Sequence, residues 1–87
     1  SEEALTNLIT IGLADKDDAL TQEMSERMLL VRPNAQAALE GLASVAFSRG
    51  DFEAAARCCQ KLVEGTPDHF ECWFNLGVAH QKLNHLE

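Results

Sequence analysis

Three cysteines and three histidines are the side chains best suited to chemistry in this chain of 87 residues. Cys58 and Cys59 are adjacent, His69 and Cys72 follow within a turn region, and His80 and His85 lie farther on. A cysteine acts as a nucleophile when a neighbouring base or cation favours its thiolate. Cys59 instead falls on the apolar stripe of a helix expected over 52–64, where a thiol packs as a small, inert hydrophobe. Cys72 reads the same way, and Cys58, one position round, reads as partly exposed. Zinc is the sharper alternative, since Cys58, Cys59, His69 and Cys72 offer three thiolates and an imidazole around one turn. Adjacent helical residues point about 100° apart, however, and structural zinc sites favour C-x2-4-C spacing, so no metal is expected. His80 falls on an apolar stripe and is expected to be packed, with one hydrogen bond, whereas His69 and His85 fall in turns and are expected to be solvated. Asp15, Asp17 and Asp18 lack the later Gly and bidentate Glu of a calcium loop, and helix capping explains them. The chain has no Gly-rich phosphate loop, no HExxH pair and no G-x-S-x-G elbow. No catalytic residue and no cofactor is expected, and the chain does not read as an enzyme.

Composition narrows the partners. Asp plus Glu outnumber Lys plus Arg by 14 to 7, and the net charge of −7 repels phosphate backbones and anionic lipid. Neither nucleic acid nor a membrane surface is expected as a partner, and no apolar run approaches the roughly 20 residues of a membrane span. An odd cysteine count without framework spacing fits a reducing compartment, so the cytoplasm is the expected location.

These side chains must be held by helices, and the helices recur. At an offset of about 34 residues Pro33 falls on Pro67, Leu39 on Trp73, Leu42 on Leu76, Ala43 on Gly77 and Phe52 on Leu86. The match weakens upstream but needs no insertion, giving about two and a half units: 2–35, 36–69 and the first helix of a third over 70–87. Apolar residues at Leu39, Leu42, Ala43, Ala46 and Phe47 make an amphipathic helix over 36–49. Gly50 and Asp51 end it and cap the next, whose stripe is Phe52, Ala55, Ala56, Cys59, Leu62 and Val63. Gly65-Thr66-Pro67 ends that helix, Asp68 and Glu71 resemble a capping box, and Trp73, Leu76, Gly77, His80 and Leu83 form the last stripe. Helices are also expected near 3–14 and 17–31, with Asn34 as the cap of the third. No segment alternates like a strand, so the expected fold is all-α.

The segment 36–69 resembles one tetratricopeptide repeat, W-x2-L-G-x2-Y, then A-x3-F, then P. Trp73, Leu76 and Gly77 reproduce its opening, with His80 at the Tyr position. Gly50, Asp51, Phe52, Ala55 and Pro67 match in the middle unit, where Leu39, Ala43 and Ala46 replace Trp, Gly and Tyr and Cys59 takes the second aromatic position. The first unit is degenerate, because Asp18 and Thr21 stand where Phe52 and Ala55 stand one repeat later. The resemblance implies a right-handed superhelix of antiparallel helix pairs with a concave side. Small Ala43, Ala55 and Gly77 are expected to let paired helices approach closely, and Leu39, Phe52, Leu62 and Trp73 to fill the gaps between units. A chain starting at Ser1 and stopping as another helix should begin (Leu86-Glu87) reads as part of a longer protein, leaving Trp73, Leu76 and His80 short of a partner. Marginal stability, or homo-oligomers through that open end, is the consequence expected.

Function is expected in the groove. By resemblance to the family, the first helix of each unit lines it through residues off the packed stripe: Glu40, Ser44 and Phe47 in the middle unit, Glu71, Phe74 and Val78 in the third, and Thr6, Thr10 and Leu13 in the first. Phe47, Phe74 and Val78 are expected to supply apolar contact, and Glu40 and Glu71 to set charge preference. The family's carboxylate clamp needs Lys or Arg at positions held here by Thr6, Thr10, Glu40, Ser44 and Val78, so an acidic tail is disfavoured. The expected ligand is a protein or peptide segment that is apolar and carries basic residues, bound by an interaction module or scaffold. The alternatives are a regulatory or substrate-recognition arm of a multidomain enzyme and a homo-oligomerisation element.

Overall fold

The computed structural model describes residues 1–85. Five helices follow one another: α1 Glu2–Ala14, α2 Asp18–Val31, α3 Gln36–Arg49, α4 Phe52–Gly65 and α5 Phe70–His85. No strand occurs among the described residues. The expected bounds hold to within a residue or two because the punctuation is chemical. Asp17 Oδ1 accepts from the Leu20 N–H at 3.1 Å and Asp51 Oδ1 from the Ala54 N–H at 3.2 Å, each satisfying a free donor at a helix start. Gly50 adopts φ 73°, a left-handed conformation that closes α3 without a Cβ penalty. The expected helix start at Leu86-Glu87 and the surroundings of the His85 side chain lie outside the described residues.

Two expected caps are replaced. Asn34 does not cap α3; it takes φ 65° in the turn, and Ala35 stands at the cap without a side-chain bond. At α5 the expected Asp68–Glu71 capping box gives way to His69, whose Nδ1 accepts from the Cys72 N–H at 3.3 Å.

Each helix packs on its sequence neighbour, and α1 also touches α3, in the nearest-neighbour manner of a stacked array. Ile9, Met24, Met28, Ala35 and Ala38 form one core. Leu39, Ala43, Ala46, Ala55, Cys59, Leu62, Leu76 and Ala79 belong to the other, so α3 contributes to both. The degenerate α2 is helical because α1 makes room for it. Thr21 is fully buried, its Oγ1 donates to the Asp17 carbonyl at 2.8 Å, and Gly12 faces it. A Cβ on Gly12 would lie 3.0 Å from the Thr21 backbone nitrogen, so glycine lets the two helices touch there. Gly41 admits Ser25 and Ile9 in the same way.

The last helix is turned relative to expectation. Cys72, Leu76 and Ala79 are buried, with Leu83 packed beside them. Trp73 is 48% exposed, His80 is exposed rather than packed, and a Cβ on Gly77 would meet open space. Gly77 therefore mediates no close approach among the described residues. Trp73 and His80 lie roughly 100° round from Cys72 and Ala79, and α4 covers the latter face alone. The Trp73 indole instead donates to the Pro67 carbonyl at 2.8 Å, bracing the α4–α5 turn. Phe52 is half-buried and meets Phe47 edge-on, with ring centroids 6.1 Å apart.

Candidate functional site

Helices α3 and α5 do not pack on each other. Between them lies a cavity of about 560 Å³, floored by Cys59 and Leu62 of α4 and walled by Glu40, Ser44 and Phe47 of α3 and Glu71 and Asn75 of α5. Leu13 of α1 completes the apolar part. Phe47 lies about two turns along α3 from Glu40, so apolar and anionic contacts are spaced along one wall.

Both carboxylates in the lining, Glu40 and Glu71, face a space that no Lys or Arg lines among the described residues. The base present is His69, whose Nε2 sits 3.0 Å from Glu40 Oε2. Because Nδ1 accepts from the Cys72 N–H, the neutral ring carries its proton on Nε2 and donates it to Glu40. This corrects the expectation of a solvated His69: the side chain is 20% exposed and joins the starts of α3 and α5.

The floor is chemically quiet. Burial, followed by the neighbouring Cys72 and Cys58 sulfurs, pushes the Cys59 thiol up to about 11. Burial also raises Cys72, and the Glu40 and Glu71 charges act in the same direction. Both stay protonated near neutral pH, where a thiol is a poor nucleophile. Burial raises Cys58 too, against the opposing pull of Lys61 and Arg57. Cys58 opens on the other side of the helix layer from Cys59, and no group of three metal-ligating side chains gathers among the described residues.

Glu40, Phe47 and Glu71 therefore come together in one cavity. Val78 is half-buried on the same side of α5 as Glu71. Phe74 is 72% exposed and absent from the lining, about 60° farther round α5 than Glu71. His69 and the thiol-lined floor were not among the expected groove residues. The available signal for His69 was its place three residues before Cys72, an N-cap position; its bond to Glu40 had no local signal.

The tetratricopeptide repeat family model matches residues 17–70 and again residues 41–84. The chain belongs to the tetratricopeptide repeat family. No curated protein matches it. Tetratricopeptide repeats are in general protein–protein interaction modules, and their fold is typically a non-catalytic scaffold. No helix among the described residues is long and apolar enough to cross a membrane.

Proposed function

We propose that this tetratricopeptide array holds a protein or peptide segment in the cavity between α3 and α5, and that the segment is apolar and carries a Lys or Arg. The observation that supports this most directly is the pairing of Glu40 and Glu71 with Phe47 and Leu13 around a space that no Lys or Arg lines among the described residues. Apolar side chains would gain burial against Phe47, Leu13 and Leu62, and a cation would meet Glu71 and the Glu40–His69 pair. Val78 would extend the wall, and Phe74 would touch a ligand that reaches past its rim. Three free thiols favour a reducing compartment, the cytoplasm.

Selection of a random displayed peptide library on the immobilised chain tests the reading. Enriched sequences should combine apolar residues with Lys or Arg, and the exposed substitution Glu71→Lys should abolish their retention. Failure to enrich any apolar sequence bearing Lys or Arg, or retention of such sequences unchanged by Glu71→Lys, would sink it.

A second reading rests on Phe70, Trp73 and Phe74, which are 80%, 48% and 72% exposed on α5. That face would join two copies of the chain. Light scattering over a hundredfold range of concentration (roughly 5 to 500 μM) should show mass rising with concentration in the wild type and not in Phe74→Ser; a constant monomer mass would end this reading.

A further inference from the structure

A second cavity lies on the opposite side of α3. Helices α2 and α4 do not pack on each other, and the gap of about 310 Å³ between them is floored by Leu42 and Val45 and walled by Leu29. Val45 lies about 200° round α3 from Ala43, which lines the acidic cavity, so the two spaces open on opposite faces. Their charges are opposite as well. Of the 7 Lys and Arg in the chain, Arg49, Arg57 and Lys61 edge this one gap. Arg27 and Arg32 are paired elsewhere, with Glu23 and Glu2. Arg57 and Lys61 stand one turn apart on the exposed side of α4 and make no ion pair among the described residues, while Arg49 is steadied by a hydrogen bond to Gln22. Among the described residues the lining holds one carboxylate, Asp51, and it is engaged as the cap of α4.

A chain with a net charge of −7 thus carries a positive, apolar-floored trough. Like charges one helical turn apart repel, and an anionic ligand relieves that repulsion while apolar side chains cover the floor. We propose that the face made by α2, α3 and α4 is a second docking surface, whose occupant is an amphipathic acidic helix of a partner protein. Its apolar side lies on the half-buried Leu29 and Leu42, beneath which Val45 is already buried, and its Asp or Glu side chains reach Arg57 and Lys61, the arrangement of a helix in a groove. The proposal is independent of the acidic cavity and its ligand.

The test is a titration of the isotope-labelled 87-residue chain, followed by amide resonances, with two synthetic probes. One is a Leu/Glu amphipathic peptide of about four helical turns, and the other is the same peptide with Lys for every Glu. The Leu/Glu probe should saturate, with shifts concentrated at Leu29, Leu42, Val45, Ala54 and Cys58, and its affinity should fall as salt rises from about 50 to about 500 mM. Arg57→Glu/Lys61→Glu should weaken it by about tenfold or more, and Arg57→Gln/Lys61→Gln by less, both positions being exposed enough to leave folding intact. No saturation by about 1 mM probe, shifts confined to the α3–α5 cavity, equal binding of the Leu/Lys probe, or an undiminished affinity in the charge-reversed variant would each overturn the proposal. Anionic vesicles of phosphatidylserine and phosphatidylcholine form the third arm, and binding to these without binding to the Leu/Glu peptide overturns it in favour of a lipid surface.

Discussion

Gly12 and Gly77 both interrupt helix interiors, yet a methyl group added to them meets different surroundings. At Gly12 it would press on the Thr21 backbone, and Thr21 is fixed by its bond to the Asp17 carbonyl. Gly12→Ala should therefore lower stability by about 1 kcal/mol net, overpacking outweighing the gain in helix propensity. A Cβ added at Gly77 meets no other part of the described chain within 4 Å, and Gly77→Ala should raise stability by about 0.5–1 kcal/mol. Urea midpoints of the two variants should move in opposite directions; movement in the same direction would contradict the packing of α1 on α2. The Cys59 thiol supplies a pH dependence. Its native pKa of about 11 exceeds the ordinary 9.0, so the unfolded chain loses this proton first as pH rises. Stability from this group is complete below pH 9.0 and falls toward about 11, and urea midpoints should show a shallower fall in Cys59→Ala over that window. The burial of Cys59 was legible from its place on a period-3.6 stripe. The burial of Thr21 was not, because a polar residue at a core position becomes acceptable only through Gly12 on another helix.

At the scale of the element, the start of α5 depends on one imidazole. His69→Ala removes the side-chain acceptor for the Cys72 N–H, leaving that N–H on the His69 carbonyl at 3.1 Å, and removes the donor to Glu40; it should cost about 1 kcal/mol. His69→Asn keeps a capping acceptor and should recover most of that loss, while Asp68→Ala should leave the urea midpoint unchanged. A loss from Asp68→Ala equal to that from His69→Ala would place the cap at Asp68 instead. Helix limits could be read because Asp17, Gly50, Asp51 and Pro67 act through their own backbone and nearest turns. The facing of α5 could not. Its two candidate stripes, Trp73–Leu76–Gly77–His80–Leu83 and Cys72–Leu76–Ala79–Leu83, share Leu76 and Leu83 and are both mainly apolar. Which one is covered depends on where α4 lies, and periodicity along α5 holds no record of that.

Over the whole molecule, α3 joins the two cores and separates the two cavities. Amides in its middle, at Ala43, Val45 and Ala46, should be the slowest to exchange, and those of α1 and the end of α5 the fastest, as in a linear array unravelling from its ends. Uniform protection along the chain would instead mean a single cooperative unit. The convergence of Glu40, Phe47 and Glu71 on one cavity was legible, because the groove side of a repeat helix is fixed by its packed side, whereas Phe74 and Val78 were expected there and fall outside its lining. The basic gap was not, because Arg49, Arg57 and Lys61 converge only when α3 and α4 are stacked against α2. The chain holds one Trp and no Tyr, and that Trp73 is half-exposed on the uncovered face of α5, away from both cavities. Its emission is thus an address label: a blue shift on adding a ligand marks occupation of the α5 face, and an unchanged spectrum alongside measured binding places the ligand elsewhere on the molecule.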